Sequence, residues 1–410
     1  MTMAADKQDK VLKVPTLRFP EFSGEWHRTT IGDCCSPLEY GMNAPAKEYD
    51  GANKYIRITD IDEDTCTYKC DDVVSPNAQL EDKYRVRKND ILFARTGAST
   101  GKAYLYNEED GLMYYAGFLI RGNVKPAYNA KFVFLQTQTQ KYKKWVDIMS
   151  IRSGQPGINS QEYSGFKFHL PPSKVEQDKI STLFTLLDER ITTQIRIIEK
   201  LQSLMKGLND YLQDSVPLSY SLSFSDIGED YSGLSGKSAE DFGSGKPYIT
   251  YVNIYSNNFV DDTCCGKVSV ERSEKQNIVQ KGDMLFTLSS ETPEEVCYGA
   301  VYSGNSTETY LNSFCFGVRN SDGKVLSPYM AYFFNSSRFR REVYPLAQGS
   351  TRFNLQKSDF LQKQFSYPSI DDQRRIFEIL NAYDNKIKVE NQILEHYQHQ
   401  KEFLLRNLFI

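Results

Sequence analysis

Two stretches of the chain carry apolar side chains at alternating steps of four and three residues, the pattern of a coiled-coil helix. The first set is Ile180, Phe184, Leu187, Ile191, Gln194, Ile198, Leu201, Met205, Leu208 and Leu212. The second set, each position 196 residues further on, is Ile376, Leu380, Tyr383, Ile387, Glu390, Leu394, Tyr397, Lys401, Leu404 and Leu408. A helix of about 40 residues is about 60 Å long. The pattern therefore predicts two long helices that pack on each other.

Both helices start with the same signature. "PPSKVEQDKI" (171–180) opens the first and "YPSIDDQRRI" (367–376) opens the second. Ser173 with Glu176, and Ser369 with Asp372, have the spacing of a capping box, so we predict that each pair caps the N-terminus of its helix. Each seam also has one polar residue at the same step, Gln194 and Glu390. Such a residue either fixes the register of the helices or is tolerated near solvent, and the pattern leaves both readings open.

The region before each helix repeats as well. "YIRITDI" (55–61) matches "YITYVNI" (248–254), and "KNDILF" (88–93) matches "KGDMLF" (281–286). These and neighbouring runs read as strands, followed by a helix-like stretch in each half, 130–150 and 328–344. One long period seen twice indicates a duplicated unit of domain plus helix. We predict an α/β (α+β) fold with globular domains over 1–170 and 216–366 and long helices within 171–215 and 367–410.

Composition narrows the class of protein. The chain has 410 residues, is 40% hydrophobic and carries a net charge of −4. We therefore expect a folded core. The slightly acidic net charge argues against a simple nucleic-acid-coating protein, but it does not exclude local basic surfaces. No apolar run approaches the roughly 18 residues of a membrane span, and the first residues are polar. These features predict a cytoplasmic protein without a membrane segment.

Motifs for catalysis, nucleotide binding and metal binding are absent from the sequence or incomplete. "GASTGKAY" (97–104) lacks the spacing and the hydroxyl residue of a phosphate-binding loop. Cys66 with Cys70, and His396 with His399, are possible metal-ligand pairs by residue type, but neither pair has further ligands at a suitable spacing. Ordinary structural or surface roles are favoured for all four residues. The sequence predicts no catalytic residue and no metal site.

Polar and basic loops occupy matching places in the two halves. They are 94–102 and 150–161 in the first half, and 287–295 and 346–357 in the second. Arginine can read guanine edges, asparagine and glutamine can read adenine, and hydroxyl or lysine groups suit phosphates. Taken one at a time, these loops are better explained as ordinary turns, and their matched placement in the two halves narrows the difference between the two interpretations.

The sequence resembles the specificity (S) subunits of type I restriction-modification systems. The resemblance covers nearly the whole chain. It rests on "PTLRFPEFSGEW" (15–26), on the "KNDILFARTG" and "KGDMLFTLSSETPEE" segments, on the "SGQPGIN" and "QGSTRFN" loops, and on both P-S-x-x-x-Q-x-x-I helix starts.

This resemblance implies two target-recognition domains separated by an antiparallel coiled coil, each reading one half of a split site in double-stranded DNA. The partners it implies are two modification (methyltransferase) subunits and restriction (translocase/nuclease) subunits. S-adenosylmethionine, ATP and magnesium are expected on those partners, with no cofactor on this chain. The near-neutral charge fits a subunit that shares phosphate neutralisation with them.

Motif position and loop chemistry together select candidate DNA-binding residues. For one half-site they are Arg95, Thr96, Ser99, Lys102, Arg152, Gln155 and Asn159. For the other they are Ser289, Ser290, Glu291, Thr292, Arg352 and Asn354. The alternatives are a coiled-coil scaffold or decayed specificity subunit without DNA recognition, and a recognition module with its own enzyme activity, for which the motifs are missing.

Overall fold

The computed structural model describes residues 13–152, 154–305, 308–321 and 323–410. The chain divides into two compact units. The first unit takes the described residues up to Ile195 together with Ile393–Ile410, and the second takes Arg196–Gln392. Each unit therefore contains a globular part and one portion of each long helix.

The elements of the first globular part follow in chain order. Its strands are β1 His27–Thr30, β2 Glu39–Tyr40, β3 Ala46–Glu48, β4 Lys54–Ile56, β5 Val74–Pro76, β6 Asp90–Ala94, β7 Ala103–Leu105, β8 Met113–Tyr115, β9 Leu119–Asn123 and β10 Lys167–Leu170. Its helices are α1 Ile31–Cys34, α2 Ala130–Leu135, α3 Gln140–Met149 and α4 Ser160–Ser164, followed by the first long helix, α5 Lys174–Ser215.

The second globular part has a similar series. Its strands are β11 Leu218–Leu222, β12 Gly228–Ser232, β13 Phe242–Ile249, β14 Gly266–Val268, β15 Met284–Thr287, β16 Ser289–Ser290, β17 Gly299–Val301, β18 Tyr310–Leu311, β19 Cys315–Asn320, β20 Ala347–Gln348, β21 Phe353–Leu355 and β22 Phe365–Pro368. Its helices are α6 Phe224–Ile227, α7 Tyr251–Ser256, α8 Ser327–Phe333, α9 Ser337–Val343 and α10 Lys357–Gln362, followed by the second long helix, α11 Ile370–Asn407.

The two units share their sheet topology. The main antiparallel sheet has the order β2-β9-β6-β7 in the first unit and β12-β19-β15-β17 in the second. In both, the strand before each long helix pairs with an early strand of the same unit, β10 with β1 and β22 with β11. A short parallel pair, β4 with β8 and β13 with β18, also recurs. The predicted α/β fold and internal repeat are thus confirmed.

The central strands explain why the "KNDILF" and "KGDMLF" runs recur. Every residue of β6 and of β15 is buried. In β6, Ile91 and Phe93 enter one hydrophobic core, whereas Leu92 and Ala94 enter another on the opposite face. A strand covered on both faces requires a continuous apolar run. The loops that follow these strands, the predicted recognition loops, therefore start from rigid positions.

The long helices bury the predicted seam. In α5 none of the ten seam residues is exposed, and in α11 Tyr383 is the exception at 38%. In the first unit Phe184 of α5 shares a core with Leu404 of α11. In the second unit Met205 of α5 packs against the core that contains Ile376 of α11. Early parts of one helix meet late parts of the other, as antiparallel pairing requires.

The repeated glutamine of the helix starts attaches each long helix to its own unit. Gln177 accepts from the backbone N–H of Asn129 at 3.0 Å, and Gln373 accepts from that of Leu326 at 2.8 Å. Both glutamines are buried. Each also donates to the carbonyl of the proline that precedes its helix, Pro171 or Pro368.

The capping-box prediction is wrong for the first helix. Both carboxylate oxygens of Glu176 are taken by Arg18, at 2.7 and 2.8 Å, and Trp26 Nε1 donates to the same group at 3.3 Å. Glu176 is 1% exposed, so its charge requires this partner. At the second helix Ser369 does cap, accepting from the backbone N–H of Asp372 at 3.2 Å.

Local hydroxyl groups also change three predicted elements. The helix-like stretch 130–150 divides into α2 and α3, because Thr139 caps the second piece. Stretch 328–344 divides in the same way at Ser336. The run "YITYVNIY", predicted as a strand, turns helical after Ile249, since Thr250 accepts from the backbone N–H of Asn253 at 3.2 Å.

Candidate nucleic-acid interface

The structure brings the two predicted loops of the first unit together. We call 94–102 and 150–161 the first loop pair; Ser153 lies outside the described residues. The backbone N–H of Ile158 donates to the carbonyl of Arg95 at 2.9 Å, and that of Gly97 donates to Pro156 at 3.0 Å. Thr96 forms an antiparallel bridge with Gly157. The backbone of the two loops thus forms one surface at the end of β6.

Glycine is required at one point of this surface. Gly101 has φ +92°, and a Cβ there would lie 2.5 Å from the Val146 side chain of α3. The hydroxyl of Tyr163 accepts from the backbone N–H of Gly101 at 3.1 Å and donates to the carbonyl of Ala94 at 2.6 Å. Burial raises the pKa of Tyr163, so this hydroxyl stays neutral as a structural link.

Arg95 presents its guanidinium on this surface. The group lies 4.9 Å from the ring centroid of Tyr40 and makes no hydrogen bond or ion pair with any other residue that the structure describes. Tyr40 is itself fixed, because its hydroxyl accepts from the backbone N–H of Ser160 at 3.2 Å. Hydrogen bonding from Ser160 lowers the pKa of Tyr40. Stacking leaves the N–H groups of Arg95 available to a ligand.

Arg152 is engaged within the protein. Its Nη2 donates to both carboxylate oxygens of Glu162 at 2.7 Å, and its Nη1 donates to the carbonyls of Met149 and Ile151. Glu162 in turn accepts from the backbone N–H of Asn159, whose side-chain oxygen caps α4. Four of the five donors of Arg152 are thus occupied. The geometry assigns Arg152 and Asn159 to loop support in this conformation.

The remaining candidates of the first unit differ in availability. Lys102 pairs with Glu63 at 3.1 Å and is largely covered. Thr96 and Ser99 are half-buried, and the carbonyl of Ser99 accepts from the backbone N–H of Lys102. Gln155 is exposed at the tip of the second loop. Arg95 and Gln155 are therefore the predicted residues of this unit with the most accessible polar groups.

The second unit repeats this arrangement as a small sheet. We call 287–295 and 346–357 the second loop pair. Their strands pair in the order β16-β21-β20, with Ser289 opposite Asn354. The backbone N–H of Leu355 donates to the carbonyl of Leu288 at 2.8 Å, which corresponds to the bond between Ile158 and Arg95 in the first unit. The two loop pairs therefore share this pairing of their backbones, although their side chains differ.

Ser289 and Ser290, two of the residues predicted to bind DNA, are buried in this structure. They are only 4% and 7% exposed, because β16 is covered by its neighbours. The hydroxyl of Ser290 donates to Glu295 at 3.0 Å, and Tyr255 donates to the same carboxylate at 2.6 Å. The bond from Tyr255, followed by those from Thr292 and Ser290, lowers the pKa of Glu295. The bond to Glu295 also raises the pKa of Tyr255 to about 12.

Arg352, Asn354 and Glu291 are exposed on the second loop pair. The guanidinium of Arg352 lies 5.6 Å from the ring centroid of Phe314 and makes no hydrogen bond or ion pair with another described residue. Gly349 allows this turn: its φ is +149°, and a Cβ would lie 2.0 Å from the carbonyl oxygen of Arg352. An arginine with its guanidinium over an aromatic ring thus appears in both units.

The aromatic residues of these surfaces were not among the residues selected from the sequence. Phe314 is 56% exposed, and Phe118, at the equivalent backbone position of the first unit, is 57% exposed. The carbonyl of Phe118 accepts from Arg95, and that of Phe314 accepts from Leu288. Each phenylalanine immediately precedes a strand: Phe118 precedes β9 and Phe314 precedes β19. The 196-residue period, applied to "AGFLIRG" and "NSFCFGV", would have found this pair.

These arrangements define a recognition protein with two surfaces of related backbone and different side chains. A family model described as the type I restriction modification DNA specificity domain matches residues 24–203 and again 225–396. These matches cover most of the chain, so the protein belongs to that family. It is the non-catalytic DNA-recognition subunit of a type I restriction-modification complex, a role that involves DNA and other subunits of the system.

Two curated relatives match this chain, one over nearly its whole length and one over less than half of it. The chain is 21% identical to the type I restriction enzyme MjaVIII specificity subunit of Methanocaldococcus jannaschii, over 98% of this chain and 95% of that protein. It is 29% identical to the MjaIX specificity subunit of the same organism, over 42% of this chain and 39% of that protein. The fold is similar to the crystal structure of the S subunit from M. genitalium, with a TM-score of 0.56, 14% identity and coverage of 97% of this chain and 99% of that one.

Within the described ranges, no group of three or more His, Cys, Asp and Glu side chains is placed to hold a metal ion. Cys70 is exposed and Cys66 half-buried, each with a free thiol. No helix of the described chain is long and apolar enough to cross a membrane.

Proposed function

We propose that the first loop pair reads one half of a split site in double-stranded DNA and that the second loop pair reads the other half. The observation that carries this proposal is the shared backbone frame with different side chains. A common frame suits one kind of ligand, and different side chains suit different base sequences. The two half-sites are therefore expected to differ, giving an asymmetric site.

The chemistry of the exposed groups supports this assignment. Arg95 and Arg352 each offer a planar set of N–H donors, which matches the O6 and N7 acceptors of guanine in the major groove. Gln155 and Asn354 carry amides that suit adenine, and the half-buried hydroxyls of Thr96 and Ser99 suit phosphate oxygens. Lys102 would contact phosphate after leaving Glu63. Glu291 can accept a hydrogen bond from the amino group of cytosine.

The partner assignment extends the same proposal. Two modification subunits dock around α5 and α11 and methylate adenine at N6, and restriction subunits add ATP-driven translocation and cleavage. S-adenosylmethionine, ATP and magnesium are held by those partners. The long helices set the number of base pairs between the half-sites, and the complex acts in the cytoplasm.

Selection from a random DNA library tests this function. The full chain, assembled with its modification subunits, is incubated with random duplexes and the bound fraction is sequenced. We expect enrichment of two short, different sequences at one fixed spacing. A scaffold without DNA recognition would enrich no sequence, and that result would refute the proposal.

A further inference from the structure

We propose that Arg352 and Phe314 together read two adjacent base pairs: the guanidinium binds a guanine, and the ring contacts the C5 methyl group of a thymine in the neighbouring pair. This inference rests on the proposed function and deepens it. It adds a specificity-determining residue, Phe314, and predicts the kind of base step within one half-site.

Phe314 is placed firmly although its ring is exposed. Its backbone N–H donates to Asn312 Oδ1 at 2.9 Å, and its carbonyl accepts from the backbone N–H of Leu288 at 2.9 Å. Leu288 directly follows the buried central strand β15. The ring is 56% exposed even with Arg352 beside it. The side chain therefore has a fixed origin and a large apolar surface without cover from the described residues.

Arg352 reaches the same place from the other loop. It follows the turn at Gly349 and precedes β21, whose Phe353 pairs with Ser290 of β16. Its guanidinium lies 5.6 Å from the ring centroid of Phe314. Contact with the aromatic ring restricts the guanidinium, and its N–H donors have no partner among the described residues. The arginine is thus pre-organised for a planar, two-bond partner.

The contact between Arg352 and Phe314 keeps the ring close to the arginine when the arginine binds guanine. A guanidinium that bonds both O6 and N7 lies in the plane of that base pair. In the bound state of this proposal the Phe314 ring lies parallel to the guanidinium, so it is displaced along the DNA axis, at the level of the next base pair. The apolar group at the major-groove edge of a base pair is the C5 methyl of thymine. Phe314 therefore discriminates an A·T pair next to the guanine.

The test uses the full chain assembled with its modification subunits. Methylation rates are measured for the wild type, Phe314→Ala and Phe314→Leu, on DNA carrying the selected site and on the same DNA with deoxyuridine in place of the thymine beside the guanine. Phe242→Ala removes another exposed ring of the same unit and serves as the matched control. Circular dichroism and assembly with the modification subunits show that each variant is folded.

For the wild type, deoxyuridine should slow methylation about fourfold, the factor expected for one buried methyl group. Phe314→Ala should lose this difference and accept other pairs at that position, while the half-site read by the first unit stays unchanged. Phe314→Leu should retain part of the preference, and Phe242→Ala all of it.

Three results would overturn the inference. The first is a half-site of the second unit without a guanine beside an A·T pair, and the second is an unchanged deoxyuridine effect in Phe314→Ala. The third is strong fluorescence of 2-aminopurine placed at that base step, because it would indicate that the ring inserts between base pairs. Failure of the proposed function is a separate outcome, because the wild type would then select no split site at all.

Discussion

The guanidinium of Arg95 lies 4.9 Å from the centroid of the Tyr40 ring, and Ser160 holds that ring through its hydroxyl. Tyr40 lies on β2, Arg95 follows β6, and Ser160 begins α4, so three separate elements fix one donor group at the surface. A free arginine loses much side-chain entropy when it binds, and stacking reduces that loss. This relationship makes Arg95 the central candidate for base reading in the first unit.

Replacing Arg95 by lysine keeps the charge but removes the planar pair of donors. We expect Arg95→Lys to lose about 1–3 kcal/mol of discrimination at one position of one half-site, because lysine cannot bond guanine in the same two-point manner. Methylation rates on DNA with single substitutions measure this. Arg28→Lys, an exposed arginine of β1, is the control and should keep the wild-type profile. Equal loss at both half-sites would contradict the assignment.

Arg152 and Glu162 should behave as a unit. Since Glu162 occupies both N–H groups of Arg152 Nη2 and also binds the N–H of Asn159, removing either side chain loosens the same loop. We expect Arg152→Ala and Glu162→Ala to weaken binding to the first half-site by similar factors, with little change at the second. Affinities measured on sites mutated in one half decide this. A much larger loss for Arg152→Ala would show that Arg152 itself contacts DNA.

The buried pair of Arg18 and Glu176 should control the stability of the first unit. Arg18→Ala leaves the carboxylate of Glu176 buried without its partner, and such changes cost about 3–5 kcal/mol. Urea denaturation of the full chain measures the loss. The double variant Arg18→Met with Glu176→Gln removes both charges and should lose clearly less. Equal losses in the single and double variants would show that the buried charge is not the cause.

The ionisation of Asp188 should make the free energy of unfolding depend on pH in the acid range. Burial raises the pKa of Asp188, but Lys131 and Lys401, at 2.7 and 2.8 Å, outweigh that effect and the net pKa is lowered. A carboxyl with a lowered folded-state pKa stabilises the protein above its unfolded value of about 3.9 and loses this contribution as pH falls through the folded-state pKa. The unfolding free energy of the wild type should therefore fall more steeply with acid than that of Asp188→Asn. Parallel curves from urea denaturation at each pH would contradict this.

Long-range periodicity made the architecture predictable. The seam positions, the P-S-x-x-x-Q-x-x-I starts and the repeated central strand depend on burial, which leaves a direct trace in the order of apolar residues. The structure adds the reason for each, such as the attachment of Gln177 to Asn129 and the two cores on either side of β6. Helix division at Thr139 and Ser336 was missed because a single hydroxyl outweighs the surrounding apolar pattern.

The candidate interface was predictable only as loops. Loop chemistry selected Arg95 and Arg352, but it could not show that Arg152 is bound to Glu162 or that Ser289 and Ser290 are buried. These facts depend on which strand lies beside which loop. The stacked rings Tyr40 and Phe314 come from other parts of the chain than their arginines, so spacing alone could not associate them.

Methylome sequencing of cells that express this chain with its modification subunit tests the central claim most directly. Two different half-sites at a fixed spacing, carrying N6-methyladenine, are the predicted result, with Arg352→Ala changing only one half and Arg95→Ala only the other. Absence of any new methylated motif in cells that contain the assembled complex would contradict the account.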